Sequence, residues 1–128
     1  MSQKNEIEVE TLKELDKAAV CQQEYVKLTK IFEDVEEPKR KLVEGLIQET
    51  AFLKGELFSL VQILKETGMI RINPDNKSQQ KTLPVANEYR RTVNIYALNI
   101  KVLNGILMKD TIETKDPFDE WLEGMKEE

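Results

Sequence analysis

Apolar side chains return at three- and four-residue steps along three long stretches of the chain, and each stretch reads as a helix. The first runs from about Glu6 to Phe32, with Ile7, Leu12, Leu15, Ala19, Val26, Ile31 and Phe32 as its stripe. Cys21-Gln22-Gln23-Glu24 dilutes that stripe in the middle, and the acidic first turn suits the positive end of a helix dipole. Asp34-Val35-Glu36-Glu37 breaks the pattern. Pro38 opens a second helix at its first position, where a missing N–H costs nothing, and nothing strong interrupts it before Thr67. Its stripe holds Leu42, Leu46, Leu53, Leu57, Leu60 and Leu64, flanked by Val43, Ile47, Phe58 and Val61. Leu46, Leu53 and Leu60 recur every seven residues, as do Leu57 and Leu64, the spacing of a packing seam.

Gly68 fits a left-handed cap, and residues 68–83 then form a connector. Met69–Ile72 predicts a short extended piece, Asn73-Pro74-Asp75-Asn76 is turn chemistry, and Lys77–Lys81 is a polar, mobile run. Pro84 opens a third helix reaching about residue 109, with a seam of Tyr89, Val93, Tyr96, Ile100, Leu103 and Leu107. A second row on it holds Ile95, Val102 and Ile106. Two long helices with matching seams and one connector make an antiparallel hairpin. The predicted fold is therefore all-α. A first helix (6–32) packs on a hairpin (38–67 and 84–109) within one domain, 1–109, and a tail follows over 110–128. In the tail, Asp116-Pro117 starts a short helix with Phe118, Trp121, Leu122 and Met125 on one face. Those few apolar groups among eight acids describe a segment that orders on docking, against its own chain or a partner.

Composition adds a constraint on burial. Apolar residues are 40% of the chain, charged ones 34% and aromatics only 6%, so aliphatic seams must supply the core. The surplus stripes point to contacts between copies. The net charge of −5 conceals segregation. Residues 1–37 carry five Lys and ten Asp/Glu, residues 38–109 twelve Lys/Arg and six, and residues 110–128 two and eight. Within the basic middle, Lys39-Arg40-Lys41 and Arg90-Arg91 are the leading candidates for phosphate contact, with Lys27, Lys30 and Lys54 secondary. The competing reading is a solvated face with i,i+4 pairing, Arg40 with Glu44 for example. Both stay open, and the hairpin places the two clusters at opposite ends. Tyr89 and Tyr96 belong to the core or a subunit interface; stacking on bases would require them exposed.

The sequence also argues against catalysis. It has no His, no Gly-rich phosphate loop and one Cys, Cys21, which excludes an internal disulfide and suits a reducing cytoplasm. The adjacent acids Glu36-Glu37, Asp119-Glu120 and Glu127-Glu128 diverge on a helix and do not converge on a metal. No stretch approaches the roughly 18 apolar residues of a membrane span, and the start lacks signal-peptide character. The expectation is a binding protein without enzymatic activity, cofactor, metal, small-molecule substrate or membrane contact.

LTKIFEDVEEPKRKLVEGLIQETAFLKGELFSLVQILKETG, Leu28–Gly68, and LPVANEYRRTVNIYALNIKVLNGIL, Leu83–Leu107, resemble the small terminase subunit of tailed bacteriophages and prophages, in the branch without an obvious N-terminal helix-turn-helix. The likeness covers roughly Leu28 to Leu122, in order and with a variable connector. It departs at Leu83, where a Ser or Asn cap would be usual. The resemblance implies a ring-forming homo-oligomer in the host bacterial cytoplasm that binds viral double-stranded DNA. It implies regulation of a separate large terminase subunit carrying the ATPase and nuclease, with Phe118, Trp121 and Leu122 as the docking residues. The rivals are a helical adaptor without nucleic-acid binding and a dimeric transcription or replication accessory factor.

Overall fold

The computed structural model describes the backbone of residues 2–114 and the side chains of residue 14 and residues 16–110. Three helices, α1 (Ser2–Ile31), α2 (Glu37–Thr67) and α3 (Pro84–Thr114), are joined by a tight turn and by a β-hairpin, β1 (Ile70–Asn73) and β2 (Asn76–Thr82). α2 packs against both α1 and α3, each antiparallel to it, and α1 and α3 also meet through Glu24 and Tyr96. α3 runs five residues beyond its expected end and takes Asp110 into the helix. No helix among the described residues is long and apolar enough to cross a membrane.

The fold is mostly helical but not purely so, which corrects the all-α expectation. Gly68 leaves α2 with φ +73° and ψ 178°, and its N–H closes on the Leu64 carbonyl at 2.7 Å. Its positive φ agrees with the expected cap; its extended ψ instead launches the chain outward. Asn73 Oδ1 accepts the Asp75 N–H at 3.0 Å, and Asn76 Oδ1 accepts the Ser78 N–H at 3.2 Å, so two Asx turns fold the chain back. Ile70 then pairs with Thr82, Arg71 with Lys81 and Ile72 with Gln80, before an irregularity at Ile72/Asn73. Lys77–Lys81 is thus strand and not a mobile run. Its polarity says nothing against pairing, because the bonds needed are those of the backbone and β1 offers a row of them.

The core lies at the end where α1 turns into α2. Leu28, Phe32, Val35, Val43, Ile47 and Leu103 form one buried cluster, with Tyr25, Leu46, Ile100, Ile106 and Leu107 packed around it. The stripe expected on α1 is corrected in part: Phe32 is enclosed as expected, but Ala19, Val26 and Ile31 face outward and Glu24 and Leu28 are enclosed instead, while Ile7, Leu12 and Leu15 lie outside the described side chains. A buried Glu in the row hid it from a hydrophobic count. On α2 the enclosed row is Val43, Ile47, Thr50, Ala51, Gly55 and Leu57, whereas Leu46, Leu53, Leu60 and Leu64 are half-buried and Leu42 is 83% exposed. A helix flanked on two sides encloses a wider face than one heptad seam, so part of the flanking row becomes core. Tyr89, Val93, Tyr96 and Ile100 are half-buried on α3, and Leu103 is buried.

Two details let the helices approach. Thr50 is fully enclosed, and its hydroxyl donates to the Leu46 carbonyl at 2.6 Å. A Cβ on Gly55 would collide with Cys21 Sγ and sit 3.3 Å from the Lys17 carbonyl, so glycine is what brings α1 this close.

Candidate nucleic-acid interface

The candidate cations fall into three zones. Lys39, Arg40 and Lys41 occupy the first turn of α2, at the closed end of the molecule with Lys27 and Lys30 of α1. Each member of the triplet has a partner within the chain. Lys39 Nζ lies 3.4 Å from Asp110 Oδ1, Arg40 Nη1 donates to the Glu33 carbonyl at 3.3 Å, and Lys41 Nζ lies 3.4 Å from Glu37 Oε1. Arg40 therefore bridges back to the α1–α2 turn and not to Glu44. Over residues 33–44 these three cations stand among five carboxylates, a local net of −2. Lys27 pairs with Glu24 at 3.3 Å, and Lys30 is exposed.

The middle zone is structural. Tyr96 on α3 donates from its hydroxyl to Glu24 Oε1 on α1 at 2.8 Å, and Lys54 Nζ on α2 sits 5.2 Å from the Tyr96 ring centroid. One aromatic thus ties all three helices together. Burial, then the hydrogen bond to Glu24 and its negative charge, push the Tyr96 hydroxyl up to about 12. Lys54 and Tyr96 are occupied in this contact, while Lys17 pairs with Glu56 a little farther along. Asn99 Nδ2, one turn beyond Tyr96, is buried without a hydrogen-bond partner among the described residues.

The third zone is the far end. Arg90 and Arg91 are exposed there, with Arg91 Nη1 3.0 Å from Glu88 Oε1. Some twenty residues of α3 separate them from Asp110 and hence from Lys39, about 30 Å at 1.5 Å per residue. The structure therefore does not join the two basic clusters within one chain. It does bring Arg90 and Arg91 to the pole that carries the hairpin, whose Arg71, Lys77 and Lys81 were not among the sequence candidates. Residues 65–91 hold six cations against three carboxylates, a net of +3 in a chain of −5. The sequence signal was available as Arg71, Lys77 and Lys81 in one stretch with a single acid; reading that stretch as mobile connector concealed it. Phe118, Trp121 and Leu122 lie outside the described residues.

Among the described residues no group of three His, Cys, Asp or Glu is arranged to hold a metal. Comparison with protein-family models, with curated proteins and with solved structures finds no match to this chain.

Proposed function

We propose that this chain is a self-associating, non-catalytic DNA-binding subunit that regulates a separate packaging motor, in the manner of a small terminase subunit. The observation that carries the reading is an uncovered apolar row on α3. Ile95 is 44%, Leu98 60% and Val102 46% exposed, and their 3,4 spacing sets them on one face. Phe52 and Ile63 add a second exposed sector on α2, three turns apart. A chain with so little aromatic content gains by covering these rows with other copies. The charge segregation and the two sequence blocks resembling small terminases supply the DNA and the motor partner.

Native mass measured across a concentration series tests the reading. A closed multi-copy assembly is expected, and Leu98→Glu should reduce it to monomers with the helical signal intact. A wild-type chain that stays monomeric at every concentration defeats the proposal. The adaptor reading, without nucleic acid, draws on a different observation: Lys39 and Lys41 are paired with Asp110 and Glu37 of the same chain. Fluorescence anisotropy with labelled duplex separates the two, since an adaptor retains no DNA even at low salt.

A further inference from the structure

We infer that the β1–β2 hairpin is the element that meets duplex DNA, and that the Lys39–Lys41 triplet is not. The inference rests on the DNA-binding reading above and assigns its site. Its first support is energetic. Two antiparallel helices need only a few residues to connect them, yet here residues 70–82 are held in a defined ribbon. Every residue of β2 is exposed, Ile70 and Ile72 are about half exposed, and no residue of the hairpin enters the core. Ordering such a segment costs backbone freedom at every residue. No core burial in the chain offsets that cost.

The second support is the charge on the ribbon. Arg71 and Lys81 are directly cross-strand, a placement in which like charges repel. Neither has a carboxylate partner among the described residues, nor has Lys77 at the start of β2. The Asn73 Nδ2 to Gln79 Oε1 bond, 2.8 Å, places Gln79 on the side of Asn73, which strand alternation shares with Arg71 and Lys81. A shallow concavity of about 510 Å³ on the hairpin is lined by Arg71, Lys81, Asn73, Gln79 and Gln80, with Ile72 and Pro74 beside them. A polyanion relieves the Arg71–Lys81 repulsion, which no carboxylate among the described residues does. Arg90, exposed about 9 Å along α3 from Pro84, extends the same positive pole.

The third support is shape. Strands about 4.8 Å apart with their side chains make a ribbon that a major groove about 12 Å wide admits, and seven residues of β2 span about 23 Å. Cations then reach phosphates on the groove walls while Gln and Asn side chains face base edges. An acidic protein surface would use the cations but has no comparable use for the amides, and so the observations favour the duplex.

Anisotropy titrations of the full chain with a fluorescein-labelled 20-base-pair duplex, from about 50 to 200 mM salt, test this. R71Q/K77Q/K81Q should weaken binding roughly ten- to a hundred-fold at the lowest salt and lower the slope of log K against log salt by about 2–3. K39Q/R40Q/K41Q should stay within about threefold of wild type, as should the charge-preserving R71K/K77R/K81R. All three should keep the wild-type circular dichroism and native mass. If the wild type binds duplex and the hairpin variant binds equally well, the site assignment falls while DNA binding stands. Tighter retention of single-stranded oligonucleotide than of duplex overturns the groove-docking ribbon. If the wild type retains no duplex at the lowest salt, the DNA reading itself fails and takes the assignment with it.

Discussion

The two ends of this molecule solve opposite problems with the same kind of residues. At the closed end, Phe32, Val35, Val43, Ile47 and Leu103 exclude water, and each cation of the first α2 turn is matched by a group of its own chain. At the hairpin end, apolar groups stay half exposed and cations outnumber acids two to one. A basic triplet that stands out in the sequence is thus absorbed by the fold, and a less conspicuous scatter of three cations is left for something else. Local charge density along a chain is a poor guide to available charge, because acids folded beside a cluster cancel it. Here Asp110 comes to Lys39 from another helix, and Glu37 pairs with Lys41 one turn back on α2.

The largest effect that sharpens this contrast is the loss of a side chain from each end. Phe32 is 2% exposed in the middle of the cluster, and Phe32→Ala should cost about 3–5 kcal/mol in chemical denaturation at fixed protein concentration. Ile72 is 51% exposed on β1, and Ile72→Ala should cost less than about 0.5 kcal/mol. Amide exchange should divide the same way. The α1–α2 core should open only with global unfolding, and β2 at far lower free energy. Comparable losses at the two positions would mean that the hairpin is packed against something in the assembled protein, and the contrast would break.

Tyr96 marks the boundary between the regions, and its effect is intermediate. Tyr96→Phe removes the donor to a carboxylate whose side chain is only 6% exposed, which should cost about 1.5–2 kcal/mol. The sign of the pH dependence follows from the raised hydroxyl. Folding favours the protonated phenol, so its contribution is whole below the ordinary value of 10 and is lost as pH rises from there through about 12. Stability measured over that alkaline window should fall more steeply for the wild type than for Tyr96→Phe. In an ultraviolet titration the Tyr96 phenol should ionise well above the ordinary tyrosine value of 10. Equal slopes for both proteins would show that the contact between α1 and α3 contributes nothing in solution.

How much of this was legible in the sequence differs by element. The two N-terminal prolines and the Leu46–Leu64 repeat locate α2 and α3 closely, because helix starts and heptads are local patterns that tertiary contacts rarely override. The buried row of α1 was not legible, since it runs through Glu24, and a charged group reads as surface until its partner 72 residues away is known. β2 was hidden for a related reason: NKSQQKT has no apolar alternation, so only the Asx turns before it hinted at pairing. The uncovered Ile95–Leu98–Val102 face was visible in part, as Ile95 and Val102 in the second row of α3, but its exposure depends on α1 covering a different side. The candidate site fared worst. Ion pairing is a property of the folded surface, and neither Lys39–Asp110 nor the unmatched Arg71–Lys81 pair can be read from spacing.

The smallest test asks for opposite signs from one substitution at the two ends. Gly45 lies in the α2 interior near the closed end, and a Cβ there meets nothing within 4 Å. Gly45→Ala should therefore stabilise the protein by about 0.5–1 kcal/mol, by lowering the entropy of the unfolded chain and favouring the helix. Gly68, where α2 gives way to the hairpin, also has open space around it, yet its φ of +73° is one that alanine adopts only under strain. Gly68→Ala should destabilise by about 1 kcal/mol and loosen the exit into β1. Thermal denaturation of both variants against the wild type reads the pair. If Gly68→Ala is neutral, the hairpin does not need the conformation seen here to leave α2. Its orientation would then be set by whatever it binds, and the ribbon would be rigid only in the complex.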